Sequence, residues 1–281
     1  MTVLKDADHA FFRENGYVIV PKAVPSGHCA AALAAIWEFL GMNPGEPATW
    51  YPPERRGGLI YLHQHQALWD NRQYPRVHEA FAEILGTTAL WVSMDRAAMK
   101  PPVSPQFPAH DDPGFLHWDL DTSRPLPTRL GVQGVLALTD TTADMGGFQC
   151  IPGFHRELAE WIAAQPEGRD AYSPDLTRLP SGFAVTPIPM AAGDLILWDR
   201  LLAHGNGRNT GVRPRLAQYL TMVPASDDEA VRQERIARWR ERRPPNAWER
   251  EIPEALRGRE QRRPPAELTP LGRRLLGVDQ W

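Results

Sequence analysis

The sequence predicts a mainly β fold, a barrel or a double sheet with flanking helices, and two observations lead to this prediction. Short apolar or β-branched segments recur between Gly and Pro turns through residues 90–223, a pattern typical of sandwiches and barrels. The 281-residue chain also carries 28 prolines. Proline suits a loop-rich β fold better than a helix bundle, because it lacks the amide donor that a helix interior needs.

The N-terminal part predicts helices around one early strand. Asp6 is a suitable cap for a first helix that ends near Gly16, and a second, Ala- and Leu-rich helix ends at Gly41. The predicted elements are a helix over residues 6–14, a strand over 17–20, a helix over 26–40, a Pro- and Gly-rich loop over 42–58, an extended segment over 61–65 and a helix over 77–85.

The pattern after residue 86 changes to β-strands. We predict strands over residues 90–100, 130–139, 148–151, 185–188, 195–198 and 216–223, with a helix inserted over 155–164. Their spacing favours one large β domain over residues 1–225, since such domains often reach about 200–250 residues.

Residues 226–281 differ in composition from the rest. They hold 13 Arg against 11 Asp plus Glu and two Pro-Pro pairs, with helical character over 230–242. We interpret this segment as an extension packed on the same domain. Its arginine density raises the possibility of nucleic-acid binding, but the interleaved glutamates favour a solvated, salt-bridged surface.

Composition narrows the choice of partners. A formal net charge of −3 does not predict binding to nucleic acid. Cys29 and Cys150 form no metal-binding or disulfide spacing, which predicts two reduced thiols in a cytoplasmic protein. No apolar run of about 18 residues predicts a membrane helix. We expect a small-molecule partner, no nucleic acid and no membrane, and a monomer or homodimer.

The stretch around residue 117 carries the main chemical signal. His117 and Asp119 are two residues apart, so on a strand both would point to one face while Trp118 points away. An imidazole and a carboxylate that converge supply two of the three ligands of a 2-His-1-carboxylate site, the ligand set of non-heme Fe(II) oxygenases.

His204 is the candidate for the third ligand. It follows a predicted strand, and Arg215 lies eleven residues later at the head of the next one. The planar guanidinium of arginine is suited to bind the distal carboxylate of an oxo-acid whose other end chelates iron. Two histidines and one carboxylate leave open coordination positions for such an acid and for O₂.

Several segments together resemble the phytanoyl-CoA dioxygenase family of Fe(II)/2-oxoglutarate-dependent oxygenases. The resemblance extends over residues 8–223, and its segments are Phe11-Phe12-Arg13-Glu14-Asn15-Gly16-Tyr17-Val18, Met99-Lys100-Pro101-Pro102, His117-Trp118-Asp119, residues 136–140 with 146–147 and 151–156, Gly193-Asp194, and residues 204–215. It implies a double-stranded β-helix, a cupin-like jelly roll, with N-terminal helices outside it and a helical or irregular C-terminal extension.

The resemblance also implies the roles of individual residues. His117, Asp119 and His204 would hold Fe(II), and Arg215 would anchor 2-oxoglutarate, with Arg213 as a competitor for that role. Asn206 stands where the family often has a small hydroxyl residue near the co-substrate. Related halogenases lack the carboxylate, so Asp119 favours hydroxylation, desaturation or ring formation.

Alternation along two predicted strands names further candidates for the pocket. Arg96, Ala98 and Lys100 share one face of their strand, and Gln133 shares a face with Val135. We expect Gln133 to lie beside the co-substrate, and Arg96 and Lys100 to contact the substrate. The two cations hint at an anionic or carboxylate-bearing molecule.

Some conspicuous residues have a structural interpretation. We expect His155 to lie in a structural turn and not to bind metal, and Asp111 and Asp112 to be solvated turn residues. His63 and His65 are expected to form a substrate-side or surface pair. Two alternative functions remain open at this point: a cupin-type isomerase or hydrolase that does not use 2-oxoglutarate, and a non-catalytic jelly-roll binding protein.

Overall fold

The computed structural model describes residues 2–52, 58–245, 249–250 and 252–281. Its strands are β1 (Tyr17–Val20), β2 (Leu59–Ile60), β3 (Leu90–Val92), β4 (Ala97–Lys100), β5 (Phe115–His117), β6 (Val132–Ala137), β7 (Phe148–Cys150), β8 (Thr186–Pro187), β9 (Leu195–Asp199), β10 (His204–Asn206), β11 (Arg215–Tyr219) and β12 (Met222–Pro224). Its longer helices are α1 (Asp6–Asn15), α2 (Ser26–Leu40), α3 (Gln66–Arg72), α4 (Pro75–Leu85), α5 (Leu158–Ala163), α6 (Glu229–Glu241) and α7 (Pro270–Leu276).

Two antiparallel sheets form the jelly roll. One has six strands in the order β1-β9-β6-β11-β4-β2, and the other has four in the order β5-β10-β7-β8. Apolar side chains from both sheets meet in one buried cluster, for example Val135 and Ile196 from the larger sheet and Phe148 and Cys150 from the smaller one. The predicted double sheet is therefore confirmed.

Helices α2, α3 and α4 pack on the larger sheet through one buried apolar cluster. In α4, Val77, Ala80 and Phe81 are fully buried, and their i, i+3, i+4 spacing places them on one side of the helix. The helix begins at Pro75, two residues before the predicted start, and Gly86 ends it with a left-handed conformation, as the sequence predicts. No described helix combines the length and the apolar character needed to cross a membrane.

Three predicted elements are divided in the structure. The strand predicted over residues 90–100 is two strands, β3 and β4, that belong to different sheets. The strand predicted over 216–223 likewise divides into β11 and β12, and β12 pairs with β3. The helix predicted over 155–164 consists of a short 3₁₀ turn followed by α5. Apolar periodicity does not reveal where a strand leaves one sheet for another.

The C-terminal residues contact the N-terminal helices and strands at many points. The Glu260 carboxylate accepts hydrogen bonds from the backbone amides of His63 and Gln64 at 3.0 and 2.6 Å. Burial raises the pKa of Glu260 to about 7. Helix α7, which the sequence analysis did not predict, buries Leu275 and Leu276 completely. These contacts bring part of the extension close to the opening of the central cavity.

Candidate metal centre

The pairing of β5 with β10 brings the two histidines together. The strands are antiparallel, and His117 lies directly opposite His204 in their register. The two imidazole rings have centroids 4.7 Å apart, although 86 residues separate them in the sequence. Phe148 and Trp198 pack on the ring of His204 and restrict its orientation.

Asp119 completes a three-residue cluster. Its carboxylate oxygens lie 3.3 Å from Nε2 of His117 and 3.6 Å from Nε2 of His204. The sequence predicted that His117 and Asp119 share one face of a strand, and this was wrong for Asp119. Strand β5 ends at His117, and Asp119 lies in the bend after it. The bend, and not strand alternation alone, turns the carboxylate towards the imidazoles.

The donor set of this cluster fits a divalent transition metal. Among the described residues, only His117, Asp119 and His204 form a group of three or more potential ligands, with the ligand atoms within 4.8 Å of one another. Nδ1 of His204 donates to the carbonyl oxygen of Leu202 at 2.9 Å. This bond leaves the Nε2 lone pair available for a metal, as in most histidine ligands.

Gln133 interacts with the carboxylate of this cluster. Its amide nitrogen lies 2.6 Å from Oδ2 of Asp119 and donates to it. The neighbouring imidazoles of His117 and His204, and then the hydrogen bond from Gln133, hold the pKa of Asp119 well below its usual range. The sequence predicts Gln133 beside the co-substrate, and in the structure its amide also holds the carboxylate of Asp119.

Replacement of Gln133 by Leu should weaken metal binding without unfolding the protein. The change removes the donor to Asp119 but keeps similar volume, and partners of metal ligands typically contribute about 10–100-fold to metal affinity. An Fe(II) titration under nitrogen measures this loss. An unchanged Fe(II) affinity in Gln133→Leu would show that this contact has no role in the site.

Two glycines permit the close approach of β5 and β10. Gly205 lies between His204 and Asn206, and a Cβ atom at this position would overlap the carbonyl oxygen of Phe115. Gly114 has a positive φ of 73° and a Cβ there would overlap the carbonyl of Asn206. The two glycines thus allow the backbone spacing that places His117 opposite His204.

Gly205→Ala should lower both stability and metal affinity. We expect the free energy of unfolding to fall by about 1–3 kcal/mol, as overpacking against backbone usually costs, and Fe(II) binding to weaken because β5 must shift. The control is Gly27→Ala in α2, where a Cβ meets nothing within 4 Å and the change is neutral or stabilising by up to about 1 kcal/mol. Chemical denaturation of both variants measures the difference, and equal stabilities would contradict the argument.

Arg215 and Arg213 have different environments. Arg215 begins β11, is 1% exposed, and lines the same cavity as the histidines. Its Nε and Nη2 atoms have no hydrogen-bond partner among the described residues. Arg213 is exposed and does not line the cavity. A buried guanidinium with unused donors is costly unless an anion meets it, so Arg215 is the better candidate for a carboxylate anchor.

The other predicted pocket residues also line this cavity. Asn206 donates to the hydroxyl of Tyr219 at 2.8 Å. Lys100 forms an ion pair with Asp112 at 3.1 Å and donates to the carbonyl of Gly207. Arg96 lies beside Asp95 and over the ring of Tyr61. The face of β4 and β6 that the sequence proposed for the pocket therefore does line the cavity.

The cavity measures about 700 Å³, large enough for 2-oxoglutarate and a small substrate together. The sequence analysis did not identify some of its lining residues. Asp95 and Tyr219 lie on strands or at their ends, where polarity alone does not distinguish them. Pro253, Leu256 and Arg259 come from the C-terminal extension, and no local pattern predicts that this segment reaches the cavity.

Other residues singled out in the sequence have structural positions. His63 is completely buried, so the surface interpretation was wrong for it, and burial lowers its pKa to about 3. His65 caps α3. His155 lies 3.3 Å from the carbonyl of Arg13, outside the metal cluster. Asp112 accepts from the backbone amide of Gly114 at 2.9 Å, as expected for a turn residue, and its half-exposed carboxylate also pairs with Lys100.

Comparison with known proteins supports the same chemistry. The family model described as phytanoyl-CoA dioxygenase matches residues 12–217. Ava biosynthesis cluster protein O of Aspergillus versicolor is 27% identical over 239 residues, which cover 76% of each protein.

Two solved structures are also similar to this chain. One is the epimerase SnoN in complex with Fe³⁺, alpha ketoglutarate and nogalamycin RO, with a TM-score of 0.55, 18% identity and coverage of 94% of this chain and 95% of that one. The other is GlcNAc Inducible Gene 2 from Candida albicans, with a TM-score of 0.75, 13% identity and coverage of 100% and 78%. At these identities the likeness shows the fold.

Proposed function

Because this chain belongs to the phytanoyl-CoA dioxygenase family, we propose that it oxidises a small organic molecule, most simply by hydroxylation, at a metal held by His117, Asp119 and His204. The chain is a non-heme Fe(II)/2-oxoglutarate-dependent oxygenase, the activity of its family. The observation that carries the residue assignment is the convergence of two imidazoles and one carboxylate in a cavity that is also lined by a buried arginine, whose Nε and Nη2 have no hydrogen-bond partner in the described part of the chain.

Each residue has a task that follows from its position. His117, Asp119 and His204 would hold the ion on one side and leave its other positions open to the cavity. Gln133 donates to Asp119 and fixes the carboxylate. Arg215 would bind the distal carboxylate of 2-oxoglutarate through two parallel hydrogen bonds. When bound, Fe(II), 2-oxoglutarate and O₂ would provide the chemistry that oxidises a C–H bond of the substrate, with succinate and CO₂ as co-products.

The protein controls where this chemistry acts. Phe148 and Trp198 pack on His204 and line the cavity together with Val135, and bound 2-oxoglutarate and substrate would displace water from these apolar surfaces. Water exclusion strengthens the pairing of Arg215 with a carboxylate, because charges attract more strongly in a medium of low dielectric constant. The substrate would occupy the remaining volume, with one C–H bond directed towards the ion.

The alternative of a cupin-type isomerase or hydrolase gives no role to Arg215. Such an enzyme would share the metal ligands but would not need a cation placed for an oxo-acid. A purely structural role is also a poor account of a guanidinium whose buried donors have no partner among the described residues, since an unpaired buried charge destabilises a protein. Both considerations favour the use of 2-oxoglutarate.

Three broader statements belong to the same proposal. Residues 1–225 would form the oxygenase domain, with 226–281 as an extension packed on it. The protein would act in the cytoplasm, which agrees with its two buried free cysteines, Cys29 and Cys150. It would work as a monomer or homodimer.

Reconstitution tests this function directly. Purified protein is mixed with Fe(II) and 2-oxoglutarate under nitrogen, and we expect a weak visible charge-transfer band. Admission of O₂ should then produce succinate, which forms slowly even without the true substrate. A folded protein that binds Fe(II) but gives neither the band nor succinate would favour the cupin-type alternative. A folded protein that binds no metal would favour a binding protein.

A further inference from the structure

The outer part of the cavity is apolar. Its lining includes Phe39 and Leu40 at the end of α2, Leu59 of β2, Phe115 of β5, and Pro253 and Leu256 of the C-terminal extension. Leu59 and Phe115 are 43% and 66% exposed, which is unusual for large apolar side chains grouped around one opening. Such a surface is the kind that an apolar ligand covers.

Apart from Arg215, the cations among the described residues that line the cavity already have partners. Lys100 pairs with Asp112 at 3.1 Å, and Arg96 lies 3.9 Å from the carboxylate of Asp95. Arg259 donates to the carbonyl of Phe39 and lies over its ring. Arg215 is reserved for 2-oxoglutarate in the proposed function. This charge balance does not favour the anionic substrate to which the sequence hinted.

Asp95 is an acidic group of the cavity whose hydrogen-bonding capacity is only partly used. Its Oδ1 accepts the backbone amide of Arg96 at 2.7 Å, and Oδ2 has no hydrogen-bond partner among the described residues. The side chain is 31% exposed and lines the cavity. Burial raises the pKa of Asp95, while Arg96 and Arg72 act in the opposite direction; a donor that reached Oδ2 would stabilise the carboxylate further.

We propose that the substrate is an apolar molecule with a hydroxyl or amino group, that Asp95 accepts a hydrogen bond from this group, and that the apolar body lies against α2, β2, β5 and residues 253–256. This inference rests on the proposed function, because it concerns the same cavity. It gives the C-terminal extension, which lies beyond the residues matched by the family model, a part in substrate selection.

Matched probe molecules test the inference. Apolar skeletons from octyl and adamantyl to steroid size are each prepared as an alcohol, an amine, a methyl ether and a carboxylic acid. Binding to the protein with Fe(II) and 2-oxoglutarate under nitrogen is measured by the change in the charge-transfer band and by thermal stabilisation. We expect the alcohol or the amine of at least one skeleton to bind about tenfold or more tightly than its ether, the value of one good hydrogen bond.

Variants assign the contacts. Asp95→Asn should reduce binding of the amine probe about tenfold or more, because the negative charge is lost. It should reduce binding of the alcohol probe less, because the amide oxygen of Asn still accepts a hydrogen bond. The probe with the larger loss identifies the donor group. Leu256→Trp should weaken all probes of the tightest-binding skeleton by filling the apolar wall. The controls are Asp175→Asn and Leu176→Trp, whose residues are exposed and outside the cavity lining.

The outcomes separate this inference from the proposed function. A wild-type protein without the band contradicts the proposed function and, with it, this inference. A normal band with tightest binding by the carboxylic acids, with ethers equal to alcohols and amines, or with no response to any probe would overturn the inference alone. Unchanged probe binding in Asp95→Asn would overturn the role of Asp95.

Discussion

Asp119→Ala should abolish iron binding while the fold remains intact. The carboxylate lies between the two imidazoles, 3.3 and 3.6 Å from their Nε2 atoms, and is the only anionic ligand of the proposed set. Since even the indirect partners of metal ligands contribute about 10–100-fold to affinity, we expect loss of a ligand to reduce Fe(II) affinity by at least about 100-fold. Succinate formation should fall in parallel. Metal analysis after anaerobic loading and gel filtration measures the bound iron.

The matched control for this variant is Asp121→Ala. Asp121 is two residues further along the chain, forms hydrogen bonds with Ser123 and Arg124, and does not line the cavity. We expect it to retain iron and activity. A second variant, Asp119→Asn, keeps the shape of the side chain and shows whether the charge itself is required. If Asp119→Ala retained a full equivalent of iron, the assignment of this carboxylate would be wrong.

Arg215→Met should raise the KM for 2-oxoglutarate by about 100-fold or more. The change removes two charge-assisted hydrogen bonds, each contributing about 1.5 kcal/mol or more, and 3 kcal/mol corresponds to roughly 150-fold in affinity. Iron binding in the absence of 2-oxoglutarate should remain close to that of the wild type. Initial rates of succinate formation across a range of 2-oxoglutarate concentrations measure the effect.

Arg213→Met provides the matched control, because Arg213 is exposed two residues away. Its KM should change by less than about twofold, as expected for a solvated surface charge. Stability gives a second readout. Since two donors of Arg215 are buried without a partner among the described residues, Arg215→Met without ligand should be no less stable than the wild type. If only Arg213→Met had a high KM for 2-oxoglutarate, Arg213 would be the residue that binds its distal carboxylate.

The sequence predicted the fold class and the members of the metal cluster for physical reasons. Strand alternation and glycine turns indicate a double sheet, and His117 with Asp119 is close enough in sequence to act as one unit. His204 required an inference about topology. That inference agrees with the β5–β10 register, which places the two histidines opposite each other. Arg215 was preferred over Arg213 from spacing, and burial now separates the two.

Other features depend on tertiary contacts that leave no local pattern. Asp95 looks like any strand-end carboxylate until the cavity forms around it. Leu256 belongs to an Arg- and Pro-rich segment without clear periodicity, so its place in the cavity wall follows only from long-range contacts such as that of Glu260 with the backbone of residues 63–64. The division of residues 90–100 between two sheets likewise results from packing, which local propensity does not encode.

Anomalous diffraction at the iron edge tests the central claim most directly. Crystals grown under nitrogen with Fe(II) and 2-oxoglutarate should show one strong peak within about 2.0–2.3 Å of His117 Nε2, His204 Nε2 and an Asp119 oxygen, as expected for such ligands. Density for 2-oxoglutarate should extend from that peak to Arg215. A peak bound by other residues, or His204 turned away from a metal-loaded site, would contradict the account.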